Sequence, residues 1–259
     1  MDEFFVRFIL QKMIGVFDDD AFRYECVMDA SKDEIERFIS KCGMWQMQQA
    51  EALKQKFDLT SLHNKKKLYI GDSITADRFG YRGITTLAAE LNSYNGAVSG
   101  ATSVDMLRFL SDNIRKSNPE IISLMIGTND SLTICDKKNL VSVQEYRNNI
   151  SEILRISKQF TDKIIISTLP PVNEQAYSGT HNTQLSKMTV QSVEALCDVV
   201  KEEADIHNVY INDAYKALHD KNLDEIVEKD GVHLTKEGQA LFAEQWIKSV
   251  LGMYNQVKE

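Results

Sequence analysis

Cysteine is scarce and scattered in this chain. The four present, Cys26, Cys42, Cys135 and Cys197, form no C-x-x-C pair, so neither a zinc site nor a disulfide framework is indicated. Lone thiols suit a reducing compartment. Positive charge is in deficit as well: 30 Lys+Arg stand against 38 Asp+Glu, a net charge of −8, and the one basic cluster is Lys65-Lys66-Lys67. That balance argues against nucleic acid as a partner, and the lysine run reads as a solvated approach to a strand. Long apolar runs are missing too. The stretch Phe4 to Phe17 is too short to span a bilayer and contains Arg7, Gln11 and Lys12. Met1-Asp2-Glu3 is acidic where a secretory signal is basic, so the expected location is the cytoplasm. No P-loop, G-x-G-x-x-G, H-E-x-x-H or G-x-S-x-G motif occurs, which removes the signatures of several nucleotide, metal and α/β-hydrolase sites.

What is present is an ordinary globular composition. At 259 residues, 43% hydrophobic and 26% charged, the chain suits one large α/β domain or one domain with an appendage. Residues 1–62 carry helical patterns and no strand signal. Around Phe4–Phe17, a helical wheel sets Arg7, Gln11, Lys12 and Gly15 against Val6, Ile9, Leu10, Met13 and Phe17. Ser31-Lys32-Asp33-Glu34 reads as a capping box opening a second helix, Lys32 to Phe57. This N-terminal helical extension is expected to pack on its own domain, to cap it, or to make a homo-oligomer contact.

From residue 63 to 259 the pattern alternates. Apolar runs fall at Leu68–Ile70, Tyr94–Val98, Ile121–Ile126, Ile164–Ser167 and Val209–Ile211. Between them lie helix-length amphipathic stretches, Gly83–Leu91, Ser103–Lys116, Val143–Gln159, Gln184–Glu203 and Lys236–Tyr254. Five short strands separated by helices imply a parallel sheet covered on both faces. In such sheets ligands bind beyond the carboxyl ends of the strands.

Polar, glycine-containing pieces follow those strand ends. Gly71-Asp72-Ser73-Ile74 follows the first strand, Ser99-Gly100-Ala101-Thr102 the second, and Gly127-Thr128-Asn129-Asp130 the third, while Asp230-Gly231-Val232-His233 precedes the last helix. A serine hydroxyl becomes a useful nucleophile when a histidine takes its proton and an acid orients that histidine. His233 and Asp230, three residues apart across Gly231, have a spacing at which a turn lets carboxylate meet imidazole. Donors for a developing oxyanion are at hand in the N–H groups of Ser73 and Gly100 and the amide of Asn129. Asp72 and Asp130 are expected to support these loops through hydrogen bonds.

In these four blocks, standing in this order, residues 66–252 resemble the SGNH hydrolases, also called the GDSL esterase/lipase family. The resemblance implies a flavodoxin-like three-layer α/β/α fold and an ester hydrolase without cofactor or metal. It implies Ser73 as nucleophile, His233 as base, Asp230 as orienting acid, and Ser73, Gly100 and Asn129 as oxyanion donors. Ile74 replaces the leucine of the family's name motif, a change between similar apolar residues. A small-molecule ester is the expected substrate, with short acyl groups, acetyl on a carbohydrate among them, slightly preferred over lysophospholipids or thioesters. A metal-dependent phosphoesterase built on Asp72, Asn129, Asp130, Asp230 and His233 is the weaker enzyme reading, since His233 is the one histidine in the set. A non-catalytic binding module on the same fold is the alternative of another class.

Overall fold

The computed structural model of the protein describes residues 31–135 and 138–255. The amphipathic stretch Phe4–Phe17 and Cys26 lie outside the described residues. Ser31 opens the first helix, α1 (Lys32–Lys56), and Glu34 reaches back to the Ser31 N–H at 2.9 Å, as the capping box requires. The chain continues through β1 (Lys66–Gly71), a single helical turn α2 (Ser73–Ala76), α3 (Tyr81–Ala88), β2 (Asn92–Asn95), α4 (Ser103–Ser117) and β3 (Ile121–Met125). Two-residue strands β4 (Thr133–Ile134) and β5 (Lys138–Asn139) precede α5 (Val143–Ser157), β6 (Ile164–Ser167), α6 (Glu174–Thr180) and β7 (Ser186–Lys187). The remainder is α7 (Val190–Ile206), β8 (Tyr210–Asn212), the short helices α8 (Ala214–Leu218) and α9 (Leu223–Ile226), and α10 (Lys236–Asn255).

Five strands make one parallel sheet in the order β2-β1-β3-β6-β8. Helices α4, α5 and α7 cover one face; α3 and α10 cover the other, with α1 lying against α3. This is the three-layer α/β/α arrangement expected from the alternation. The inner strands β3 and β6 are buried at every residue, so they read as continuous apolar runs rather than alternating ones. The chain leaves β1 to one side for β2 and then crosses to β3 on the other. That reversal creates a crevice at the carboxyl end of β1, where ligands of such sheets bind.

The structure departs from the sequence expectations at several places. The second strand begins earlier than Tyr94, because an edge strand needs no apolar run: Asn92 and Ser93 pair with Lys66 and Lys67, and the residues are half-buried at most. The helix expected from Gln184 starts at Val190, capped by Thr189, because Ser186–Lys187 pairs with β4 in a small antiparallel sheet. Lys67 is not solvated but 1% exposed. Strand alternation turns Lys66 outward and Lys67 inward, where its Nζ lies 3.0 Å from the centre of the Trp246 ring and 3.6 Å from that of Tyr69.

Candidate active site

β1 ends where Asp72 caps the α2 turn, its Oδ1 accepting the Ile74 N–H at 3.1 Å. Ser73 is therefore the first residue of a turn that starts at the edge of the sheet. Its side chain is pointed rather than free, since Oγ stands 2.7 Å from His233 Nε2. The serine and the histidine are 160 positions apart in the chain.

The loop carrying His233 is built around the two oxygens of Asp230. Oδ1 accepts the N–H groups of Val232 and His233, both at 3.0 Å, and Oδ2 lies 2.5 Å from His233 Nδ1. One carboxylate thus shapes the turn and aims the ring at once. Gly231 makes the turn possible: its φ of +77° suits glycine, and a β-carbon there would collide with the backbone of Asn173 and Tyr177. Asn173 N–H holds the Gly231 carbonyl at 2.9 Å, and a bridge between Val227 and Leu234 closes the loop from behind. Burial alone would raise the Asp230 carboxyl. The hydrogen bond and charge of His233, with the two backbone N–H groups, outweigh it and hold the carboxyl below the usual range. An ionised Asp230 accepts at Nδ1–H, which leaves Nε2 as the acceptor for the Ser73 hydroxyl.

Strand order sets the two other loops beside Ser73, since β2 and β3 flank β1. Gly100 has φ +79° with open space where a β-carbon would stand. Backbone conformation, rather than crowding within the protein, selects glycine there. Asn129 Nδ2 donates to the Ala101 carbonyl at 2.9 Å, which ties the third loop to the second; the amide carries a second N–H. The next residue, Asp130, is fully buried and accepts both the N–H and the hydroxyl of Ser103, at 3.0 and 3.1 Å for the N–H. Asn149 braces the same hydroxyl at 2.9 Å. Burial pushes the Asp130 carboxyl up to about 6 against the pull of those Ser103 hydrogen bonds. Asp72 is also raised, first by burial, with Thr128, Ile74 and His233 opposing.

All seven residues singled out in the sequence stand at this edge of the sheet. Ser73, His233 and Asp230 form one hydrogen-bonded line, Asn129 and Asp130 both bind the segment that follows Gly100, and Asp72 caps the turn of Ser73. Ser103, Asn149, Asn173 and Tyr177 were not singled out, because hydroxyls, amides and a tyrosine backbone carry no distinctive spacing. Tyr81 is a core residue and Arg82 turns to backbone carbonyls of the Ser73 turn. A second serine–histidine contact, Ser151 Oγ to His207 Nε2 at 2.8 Å, lacks the same chemistry. There Glu203 approaches the same ring nitrogen, at 3.6 Å, so it does not orient the ring from behind. Among the described residues no group of three or more His, Cys, Asp or Glu gathers as a metal site would, and no helix is long and apolar enough to cross a membrane.

The chain is 27% identical over 144 residues to a multidomain esterase of Ruminococcus flavefaciens, covering 54% of this chain and 17% of that protein. It is 31% identical over 91 residues to the uncharacterized lipoprotein YqeF of Bacillus subtilis, covering 35% and 37%. The chain therefore spans well under half the length of either relative. Among solved structures, a lipase/acylhydrolase from Enterococcus faecalis superposes with a TM-score of 0.61 at 22% identity, over 73% of this chain and 96% of that one. The acetylxylan esterase Axe2 from Geobacillus stearothermophilus gives 0.60 at 21%, over 73% and 95%. These two share the fold. The profile of GDSL-like lipases and acylhydrolases matches residues 69–241, a span that holds all four blocks, and the chain belongs to that family of ester-bond hydrolases.

Proposed function

We propose that the protein is a serine esterase that works through an acyl-enzyme on Ser73. The observation that carries the reading is the line Ser73 Oγ–His233 Nε2 at 2.7 Å and His233 Nδ1–Asp230 Oδ2 at 2.5 Å. Ser73 Oγ attacks the ester carbonyl carbon as its proton passes to Nε2, and Asp230 stabilises the imidazolium that forms. The oxyanion is met by Ser73 N–H, Gly100 N–H and the Asn129 amide, each donor worth roughly 3–4 kcal/mol of barrier. Collapse breaks the bond to the alcohol oxygen, which takes the proton from His233. Water, giving its proton to the same nitrogen, then attacks the acyl-enzyme, and the acid leaves as Ser73 regains its hydrogen.

A short acyl group, acetyl on a carbohydrate hydroxyl, is the favoured substrate class. The fold shared with an acetylxylan esterase supports that choice. The scattered spacing of the four cysteines in the sequence suits a reducing compartment. The test is the initial rate on p-nitrophenyl esters from acetate to dodecanoate, with Ser73→Ala in parallel. Rates that fall with chain length and drop by orders of magnitude in the variant are expected. Turnover within a few-fold of wild type in a folded Ser73→Ala protein would refute the assignment.

A further inference from the structure

The turn that carries Ser73 is only four residues long, so its trailing carbonyls have no helix to continue into. Side chains from elsewhere collect them. Arg82 donates to the carbonyls of Thr75 and Ala76 at 3.2 and 3.4 Å, and Gln239 to that of Ile74 at 3.5 Å. Gln239 also accepts the Tyr81 N–H at 2.8 Å. Between the turn and α3, Asp77 holds the Phe79 N–H at 2.9 Å and its carbonyl accepts the Gly80 N–H at 3.1 Å. One carbonyl of this loop, that of Arg78, is met from outside the family span of residues 69–241. Its donor is Gln46 Nε2, at 2.9 Å.

Gln46 belongs to α1. The buried stripe of that helix is Ile35, Cys42, Gln46, Ala50 and Leu53, one face at helical spacing. Four of the five are apolar or small, and the glutamine is 7% exposed. A buried amide is retained against its desolvation cost only where it finds a partner. The fit is close: a β-carbon on Gly83 would collide with both Gln46 Nε2 and the Arg78 carbonyl. Helix α1 therefore does more than cover α3; it inserts a donor into the loop behind Ser73.

We propose that Gln46 is a positioning residue for the nucleophile turn, which makes α1 a working part of the catalytic unit. The proposal rests on the reading of Ser73 as nucleophile. Without the donor, the Arg78 carbonyl loses this hydrogen bond, and residues 77–80 shift and carry the end of the Ser73 turn with them. The chemistry at Ser73 then loses alignment with His233 while the substrate surface is untouched.

The experiment uses the full chain and p-nitrophenyl acetate, at a temperature well below every variant's melting midpoint. Gln46→Met, close in size but without a donor, is expected to lower kcat about five-fold, as loss of one neutral hydrogen bond allows, with KM near wild type. Gln46→Lys, which restores an N–H donor at similar reach, should recover most of that loss. Leu53→Ala, a packing change on the same stripe, should lower the melting midpoint and leave kcat within about two-fold. Ser73→Ala runs alongside. An active Ser73→Ala protein overturns the serine reading itself. An inactive Ser73→Ala with wild-type kcat in Gln46→Met, with Gln46→Lys as slow as Gln46→Met, or with kcat losses in Gln46→Met and Leu53→Ala that merely follow stability, overturns the positioning role alone. If Gln46→Met does not fold, Gln46→Ala takes its place as the donorless variant, where a several-fold loss of kcat sustains the role and wild-type kcat sinks it.

Discussion

Asp130 holds Ser103 twice, accepting its N–H and its hydroxyl on one buried carboxylate, while the neighbouring Asn129 donates to the Ala101 carbonyl. Two consecutive residues after β3 thus grip the segment after Gly100 at both ends. The spacing between the Gly100 N–H and the Asn129 amide is set by this grip rather than by either loop alone.

Asp130→Asn should therefore reduce kcat with little change in KM. An amide offers one acceptor oxygen and turns donors toward a serine that itself donates. The fall should be about ten- to a hundred-fold, below the ~10²–10³ that loss of a whole oxyanion donor brings. A pH signature goes with it. The Asp130 carboxyl is pushed up to about 6, so below that pH the wild type gains a proton where Ser103 needs an acceptor and comes to resemble the variant. The ratio of wild-type to variant kcat should narrow as pH falls through that value. A ratio of one at neutral pH would show that the grip is immaterial.

Asp230→Asn should cost far more, about 10²–10⁴ in kcat, because the amide can present its hydrogens to Nδ1 and favour the wrong tautomer. Stability should move with pH as well. A carboxyl whose folded pKa lies below its unfolded one contributes fully above the unfolded value and loses that contribution as pH falls through the folded one. The denaturation midpoint of the wild type should exceed that of Asp230→Asn at neutral pH, and the gap should close below about pH 4. A gap that widened on acidification would contradict the assigned direction.

Lys67→Met should stabilise the fold. Its Nζ has no hydrogen-bond partner among the described residues, and burial depresses the ammonium well below its usual range. Contact with Trp246 and Tyr69 returns about 2 kcal/mol for a desolvated cation, while the effective penalty for taking an ion out of water is several kcal/mol, so the burden wins. A lysine with a depressed folded pKa binds its proton more readily when unfolded, so wild-type stability climbs with pH toward the unfolded value of about 10.4. The advantage of methionine, on the order of 1–4 kcal/mol, should be largest at acid pH and shrink on the alkaline side. Chemical denaturation across pH would expose the opposite trend if the aromatic contacts dominate.

Much of this was open to reading along the chain because the physics is local. Buried parallel strands announce themselves as apolar runs, and β6 falls at Ile164–Ser167 as expected. Capping residues mark helix starts, as Ser31 and Glu34 do for α1. The short strands β4, β5 and β7 leave no signal in the sequence because two residues have no periodicity. The burial of Lys67 is not legible in the sequence, because nothing in a run of three lysines tells which one a strand will turn inward.

The sequence by itself determined the alternation of five strands with long helices, the parallel sheet and the four polar blocks at its edge, since each depends on neighbours within a few residues. Only the tertiary structure decided which groups touch. Ser73 meets His233 across 160 positions, Asp130 finds Ser103, and Gln46 reaches Arg78 because strand order and helix packing bring remote segments to one edge. Such contacts are set by the burial of the whole core, to which every element contributes and which no short stretch of chain encodes.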